Sequence, residues 1–230
     1  MPTLPPDLKA GIFAANQLPT PQVDRAEAIL KEVRPLDFGS PHTQTINDNY
    51  LILRNRPPKM PPASTNASYQ RHACGGTPPY RYSTVNPSIV TVYPGGLVVA
   101  TSTGTARITV TDNNGQTACY DITFTGTVRY VELVSSATYD HPKGSINRPD
   151  AWGLTCTQMR QFWSNYINES PTQSLTGILG WPHNTYWTTE PHGATDAFHG
   201  VEELNARSPN WFNAVSRNAS NRPSIRRVNW

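Results

Sequence analysis

The chain has 230 residues, a formal net charge of +3 and only 15% charged residues. That length fits one or two domains, each with a real buried core. The sparse basic residues exclude a dedicated nucleic-acid binder, which would cluster Lys and Arg; the nearest approach, Arg217, Arg222, Arg226 and Arg227, reads as scattered surface arginines.

No run is apolar enough to span a membrane, so direct membrane insertion is not expected. The start, Met1-Pro-Thr-Leu-Pro-Pro-Asp, shows no secretory signal pattern. The chain is then a piece of something longer, leaves the cell by another route, or stays inside. Residues 1–66 are Pro-rich. Thr20 as N-cap and Pro21 at the first helical position, followed by Ala26, Ile29, Leu30 and Val33 on one face, predict a short amphipathic helix over 21–34 that stops at Pro35. Tyr50-Leu51-Ile52-Leu53 reads as a strand, a candidate first strand of the domain that follows. Arg56-Pro-Pro-Lys-Met-Pro-Pro62 is a stiff extended segment, read as a linker or edge approach, with a proline-ligand motif as the alternative.

From Gly75 to Thr125 short alternating runs are cut by turn signals at regular spacing. Arg81–Ser83, Ser88–Val92, Leu97–Val99, Ala106–Val110 and Ala118–Phe124 each follow Pro, Gly or Asn punctuation. Period-two alternation sets Ile108 and Val110 on one face, Arg107 and Thr109 on the other. Several such runs predict an all-β sandwich. The pieces Gly75–Tyr80, Asn86-Pro87-Ser88, Gly96-Leu97-Val98, Ser102–Ala106 and Asp112–Gln116, in this order and spacing, resemble the bacterial immunoglobulin-like domain of group 2, a spacer found in the stalks of intimin- and invasin-type adhesins. The resemblance implies a spacer or display module. An early and a late strand of such a sandwich face each other across the core, so it also implies a Cys74–Cys119 disulfide, closing a loop of about 45 residues and adding roughly 3–4 kcal/mol in the chain-entropy account. Two free thiols are the alternative.

Val128 to Val134 is a further strand-like run, and a domain boundary falls between Gly126 and Ser136. All 6 tryptophans lie beyond it, a shift in composition that marks a second domain. Trp152, Cys156, Met159 and Trp163 recur at helical spacing. Tyr186–Thr189, Gly200–Leu204, Trp211–Val215 and Ser224–Trp230 read as strands, an α+β pattern. Ala151-Trp152 with Cys156, Gly180-Trp181-Pro182, Tyr186-Trp187-Thr188-Thr189, Val201–Leu204 and Arg226–Trp230 resemble the C-type-lectin-like domain that caps intimin and invasin. In that family a terminal-strand Cys pairs with the helix Cys; here the chain ends in Val228-Asn229-Trp230, so Cys156 has no such partner. It reads as a small buried apolar residue, with a cross-link to a second chain as the alternative.

The expected fold is therefore mainly β: an N-terminal helix and Pro-rich lead over 1–66, an immunoglobulin-like β-sandwich over 67–130 and an α+β C-type-lectin-like domain over 131–230. Glu190-Pro191-His192 resembles the calcium-lectin loop in two letters only, and His is a poor ligand for calcium. Glu190, His192, Asp196, His199, Glu202 and Glu203 crowd one segment, but their spacing matches no helix-borne metal motif, and no catalytic signature occurs. No cofactor, metal or enzymatic activity is expected. Trp181, Tyr186, Trp187, Phe198 and Trp211 are many aromatics for a small domain, a composition typical of recognition surfaces, although most of them are expected in the core, since the resemblance puts Trp187 and Trp152 at core-like positions. The expected contact surface is the loop region 191–198 with 205–212, its ligand-binding candidates Glu190, His192, Asp196, His199 and Trp211. The expected function is adhesin-like: an immunoglobulin-like spacer presenting a calcium-independent head to a host cell-surface protein or glycan, at the cell surface or secreted. A decoration module of a phage or secreted assembly is the alternative.

Overall fold

The computed structural model describes residues 34–137, 153–170, 172–182, 184–191, 197–202, 212–216 and 222–228. The helix expected over 21–34 falls outside them, apart from its last residue, as does Trp152. Two packed sheets form the first unit. One has the order β1 (His42–Ile46), β8 (Thr117–Gly126), β7 (Gly104–Thr111) and β4 (Arg81–Thr84); the other has the order β3 (Ser68–Gln70), β6 (Leu97–Ala100) and β5 (Val90–Tyr93). This is an immunoglobulin-like sandwich, with β1 parallel to β8 and every other pairing within the two sheets antiparallel. The expected alternation holds: Ala106, Ile108 and Val110 of β7 and Tyr120, Ile122 and Phe124 of β8 are buried, and the residues between them face outward.

Turn chemistry fixes the register. The Asp112 carboxylate closes the β7–β8 hairpin, accepting backbone N–H bonds from Thr77 (2.8 Å), Asn114 (2.9 Å) and Gln116 (2.8 Å). Burial pushes this carboxyl upward, but the N–H groups of Thr77, Gln116, Asn114 and Gly115 outweigh it and hold the group below its ordinary value.

The Cys74–Cys119 disulfide does not form; all three cysteines are free, and Cys74 and Cys119 are exposed. Strand parity is the reason. Cys119 lies between the inward Ala118 and Tyr120 side of the pleat and points outward with Asp121, while Cys74 exchanges backbone hydrogen bonds with Asp37 (2.8 and 3.0 Å) at the sandwich margin. Aromatic packing links the two sheets where a bridge would have done so. Tyr69 of β3 meets Tyr120 of β8 edge to face at 6.2 Å, Phe38 packs on Tyr120 at 4.8 Å, and the Arg71 guanidinium lies 4.2 Å from the Tyr120 ring centroid.

The second unit is α+β. A six-stranded sheet runs β12 (Phe212–Ser216), β11 (Ala197–Glu202), β10 (Thr185–Pro191), β13 (Arg222–Val228), β9 (Arg129–Ala137) and β2 (Leu51–Leu53), covered by α1 (Cys156–Ile167) and the short α2 (Leu175–Leu179). The strand expected at Leu51 exists but pairs parallel with β9, so it joins this sheet and not the sandwich. Its run of three apolar residues lacks alternation because both Leu51 and Ile52 are buried. α1 starts at Cys156, later than the expected Trp152, because Thr155 forms a capping box: its Oγ accepts from Gln158 N at 3.2 Å and its N–H donates to Gln158 Oε1 at 3.0 Å. Met159, Phe162, Trp163 and Tyr166 form its buried stripe. β11 begins at Ala197, within a stretch expected to be loop.

The segment between β1 and the Pro-rich run connects the units. Tyr50 is fully buried and donates to Ala100 O at 2.8 Å; Tyr130 of β9 donates to Thr101 O at 2.7 Å. On the other side Tyr166 of α1 accepts from Leu53 N at 2.7 Å and donates to Arg56 O, and Asn165 donates to Leu51 O at 3.0 Å.

Two outcomes test this account. Tyr166→Phe leaves the Leu53 N–H and Arg56 C=O without their partner, and we expect a loss of about 1–3 kcal/mol in urea unfolding, a buried polar group left unsatisfied. Asp112 has a folded pKa below its unfolded one, so its stabilisation is full above the unfolded value and is lost as pH falls through the folded value. Asp112→Asn is therefore expected to be less stable than wild type near neutrality and to show a shallower acid loss of stability; equal acid slopes would exclude this role.

Candidate functional site

The head places its aromatics by strand parity. Tyr186, Thr188 and Glu190 of β10 face α1: Tyr186 meets Trp163 edge to face at 6.0 Å, and the Thr188 hydroxyl lies 3.8 Å from the Cys156 sulfur. Tyr186 and Trp187 are fully buried, and Trp181, half-buried, stacks on Phe162 (5.7 Å) and Tyr186 (6.1 Å). These rings build the core of the head and are not a recognition surface. Glu190 is half-buried and interacts with the Cys156 thiol. Burial, and then the Glu190 carboxylate, push that thiol up to about 12, so it stays protonated and inert.

His199 lies on β11 beside Phe198, whose partner across the ladder is Pro191, next to Glu190. Glu190 and His199 thus share one end of the β10–β11 pair. His192, Asp196 and Trp211 lie outside the described residues. Among the described residues no group of three or more His, Cys, Asp or Glu side chains is placed to hold a metal ion, and no helix is long and apolar enough to cross a membrane.

A second feature lies where the units meet. A cleft of about 550 Å³ is lined by Thr91 and Tyr93 of the sandwich, Asn55, Arg56, Pro57 and Lys59 of the connecting segment, Glu169, Ser170 and Gln173 after α1, and Gly177 and Ile178 of α2. Arg56 is held by the carbonyls of Ile178 and Leu179 at the end of α2. The Glu169 carboxylate accepts from Lys59 N at 3.0 Å. The Tyr93 hydroxyl is pushed upward by burial and by Glu169. Pattern reading missed this cleft; its one legible component was the Pro-rich segment, whose stiffness sets Arg56 and Lys59 against the head. On another side of the junction a hollow of about 390 Å³ is lined by groups already engaged with one another: Gln161 donates to Asn49 at 2.7 Å, Gln158 closes the α1 cap, and Arg129 approaches Asp48 at 3.9 Å.

Residues 72–122 match the bacterial Ig-like domain (group 2) family, and the sandwich described above is the immunoglobulin-like unit of a chain with that domain. Among solved structures, an intimin mutant from EHEC O157:H7 is 18% identical, covering 78% of this chain and 87% of that one, with a TM-score of 0.42. Intimin in an intimin–Tir90 complex is 16% identical, covering 85% and 99%, with a TM-score of 0.40. Invasin, titled a bacterial integrin-binding protein, is 14% identical, covering 84% of this chain and 40% of that one, with a TM-score of 0.33. No curated protein matches the sequence.

Thiol chemistry checks the placement of the cysteines. Cys74 and Cys119 are exposed and Cys156 is buried. At about pH 8, we expect a disulfide reagent such as DTNB to titrate the two exposed thiols in the native chain and the third only in denaturant, because the thiolate is the reacting form. Fewer than two native thiols on a freshly purified chain would contradict the exposed, unbridged pair.

Proposed function

We propose that this chain is an adhesin-like, non-catalytic binding protein in which the immunoglobulin-like spacer carries the α+β head as a C-type-lectin-like recognition domain. One observation carries the reading: a group 2 Ig-like domain is joined directly to an α+β head, strand β8 running into β9 through Gly126 to Val128, and the joint is packed rather than loose. A stiff joint of this kind suits display, since it holds a distal surface at a fixed distance and angle from the point of attachment.

The partner is a host cell-surface protein or glycan, and the setting is the bacterial cell surface or the medium. The proposed contact surface comprises residues 191–198 and 205–212 together with His199, and includes His192, Asp196 and Trp211. Glu190 belongs to its margin, since its carboxylate is engaged with Cys156 beneath the strand. Recognition proceeds without calcium and without covalent chemistry. The binding free energy comes from burying a few anchoring side chains within a polar rim.

The test is binding of the purified chain to host-cell surfaces and to a glycan panel, with and without a calcium chelator. Saturable binding that survives chelation, and that falls at least about tenfold on Asp196, His199 and Trp211→Ala with circular dichroism unchanged, is the expected result, the loss typical of removing an interface anchor. Unchanged binding by that triple variant would remove this surface from the reading. Removal of residues 1–33, which spares β1 and its pairing with β8, is expected to leave cell binding intact.

A further inference from the structure

We infer that the cleft between the spacer and the head is a binding site for a short saccharide bearing a carboxylate, contacted by Asn55, Lys59, Tyr93, Glu169 and Gln173. The inference rests on the reading of this chain as a binding protein and adds a site built from other residues than the surface proposed above.

Size comes first. About 550 Å³ lies within the range of small-ligand pockets and suits two or three sugar rings. Chemistry comes next. The lining offers two side-chain amides, Asn55 and Gln173, each able to donate and accept at once, and the Glu169 carboxylate as an acceptor. Sugar hydroxyls need such two-way partners. Tyr93 supplies an amphipathic ring, whose face suits the C–H side of a pyranose while its hydroxyl stays polar. Among the described residues, the aliphatic lining is Pro57 and Ile178. An extended peptide would need apolar pockets for its alternate side chains, and this cleft does not provide them.

Charge selects among saccharides. Among the described residues, the charged side chains lining the cleft are Arg56, Lys59 and Glu169. Arg56 is already committed to the carbonyls of Ile178 and Leu179, and Glu169 takes the backbone N–H of Lys59. Among the described residues, none pairs with the Lys59 ammonium or hydrogen-bonds the side chains of Asn55, Tyr93 or Gln173. Two cations against one carboxylate leave the cleft net positive, with its one unengaged charge on a flexible stem. An ammonium in that state favours a ligand carboxylate through a charge-assisted hydrogen bond.

The neighbouring hollow on the same junction provides the contrast. Its amides and charges are closed on each other, so a ligand would have to break bonds to enter. The cleft at Tyr93 has donors and acceptors ready to receive one. Its walls come from both units, so an occupied cleft also braces the spacer against the head.

The experiment is titration of the whole chain with 3′-sialyllactose and, in parallel, with lactose, followed by calorimetry and by ligand-observed saturation-transfer NMR. We expect saturable binding of sialyllactose with lactose at least about tenfold weaker, the discrimination of one charge-assisted contact. Lys59→Met is expected to erase that preference while leaving weak saccharide binding, and Gln173→Leu and Tyr93→Ala to weaken both ligands. Lys59 and Gln173 sit at the surface of the cleft, so these two variants keep the test valid should Tyr93→Ala impair folding. No saturable binding of sialyllactose up to roughly 10 mM, equal affinity for the two sugars, or affinity unchanged by both Lys59→Met and Gln173→Leu would each overturn the assignment, since a cleft of this size should register even weak ligands by then. None of these results bears on the head surface, which is judged separately by cell binding of its own triple variant.

Discussion

The fold depends on how residues 47–59 satisfy their backbone. This short stretch has no sheet of its own, yet it passes between two units, and Tyr50, Leu51 and Ile52 at its centre are buried. Its polar groups must therefore be met from outside, and each unit contributes. The sandwich accepts the Tyr50 hydroxyl at Ala100. The head supplies β9 as a parallel neighbour for β2, the Tyr166 hydroxyl for Leu53 N and Arg56 O, the Asn165 amide for Leu51 O, and the Glu169 carboxylate for Lys59 N. Pulling the sandwich from the head and its strap would strand the Tyr50 and Tyr130 hydroxyls and the Ala100 and Thr101 carbonyls that accept from them, so the junction behaves as part of the core.

This constraint also explains where the cleft arises. The Pro-rich run cannot fold back into a sheet, since proline lacks the N–H a ladder needs. It leaves β2 as an extended strap and holds Arg56 against the end of α2. A gap remains between the strap, β5 and the turn after α1, and its walls are polar because each of those elements ends there. A small site at a domain junction is the ordinary outcome of packing elements that terminate against one another.

Much of the sandwich was legible in the sequence because its signals are local. Asp112 to Gln116 is a turn by composition, and Gly95-Gly96 marks the entry to β6 with both residues at positive φ. The alternation in β7 reads directly as inward and outward faces. The stripe of α1 was equally local. The long-range features were not legible. Leu51–Leu53 is too short and too apolar to announce which sheet it joins, and its contact with Tyr166 spans 113 residues of sequence. The disulfide expectation failed on parity: a family-level match places Cys119 on the right strand, but only the register of β8 shows that it faces outward. Of the many aromatics, Trp187 is buried as its core-like position in the resemblance implies, and Tyr186 with it, because both faces of β10 are covered. Of the residues expected to make contact, Glu190 and His199 fall at one end of the β10–β11 pair, and the sequence segment that unites the others lies outside the described residues.

The parallel pairing of β1 with β8 has a mechanical meaning. His42 to Ile46 run alongside Ile122 to Gly126 in the same direction, and the chain continues from β8 straight into the head. Consider the head held at a surface while the chain before β1 is held elsewhere. The pull on β8 is then toward its C-terminal end and the pull on β1 toward its N-terminal end, so the two strands slide along each other. In that geometry the hydrogen bonds of the ladder resist together, whereas strands peeled from one end would break them one at a time. The same local chemistry that closes the sandwich thus makes it a link that meets a pull between its two ends in shear.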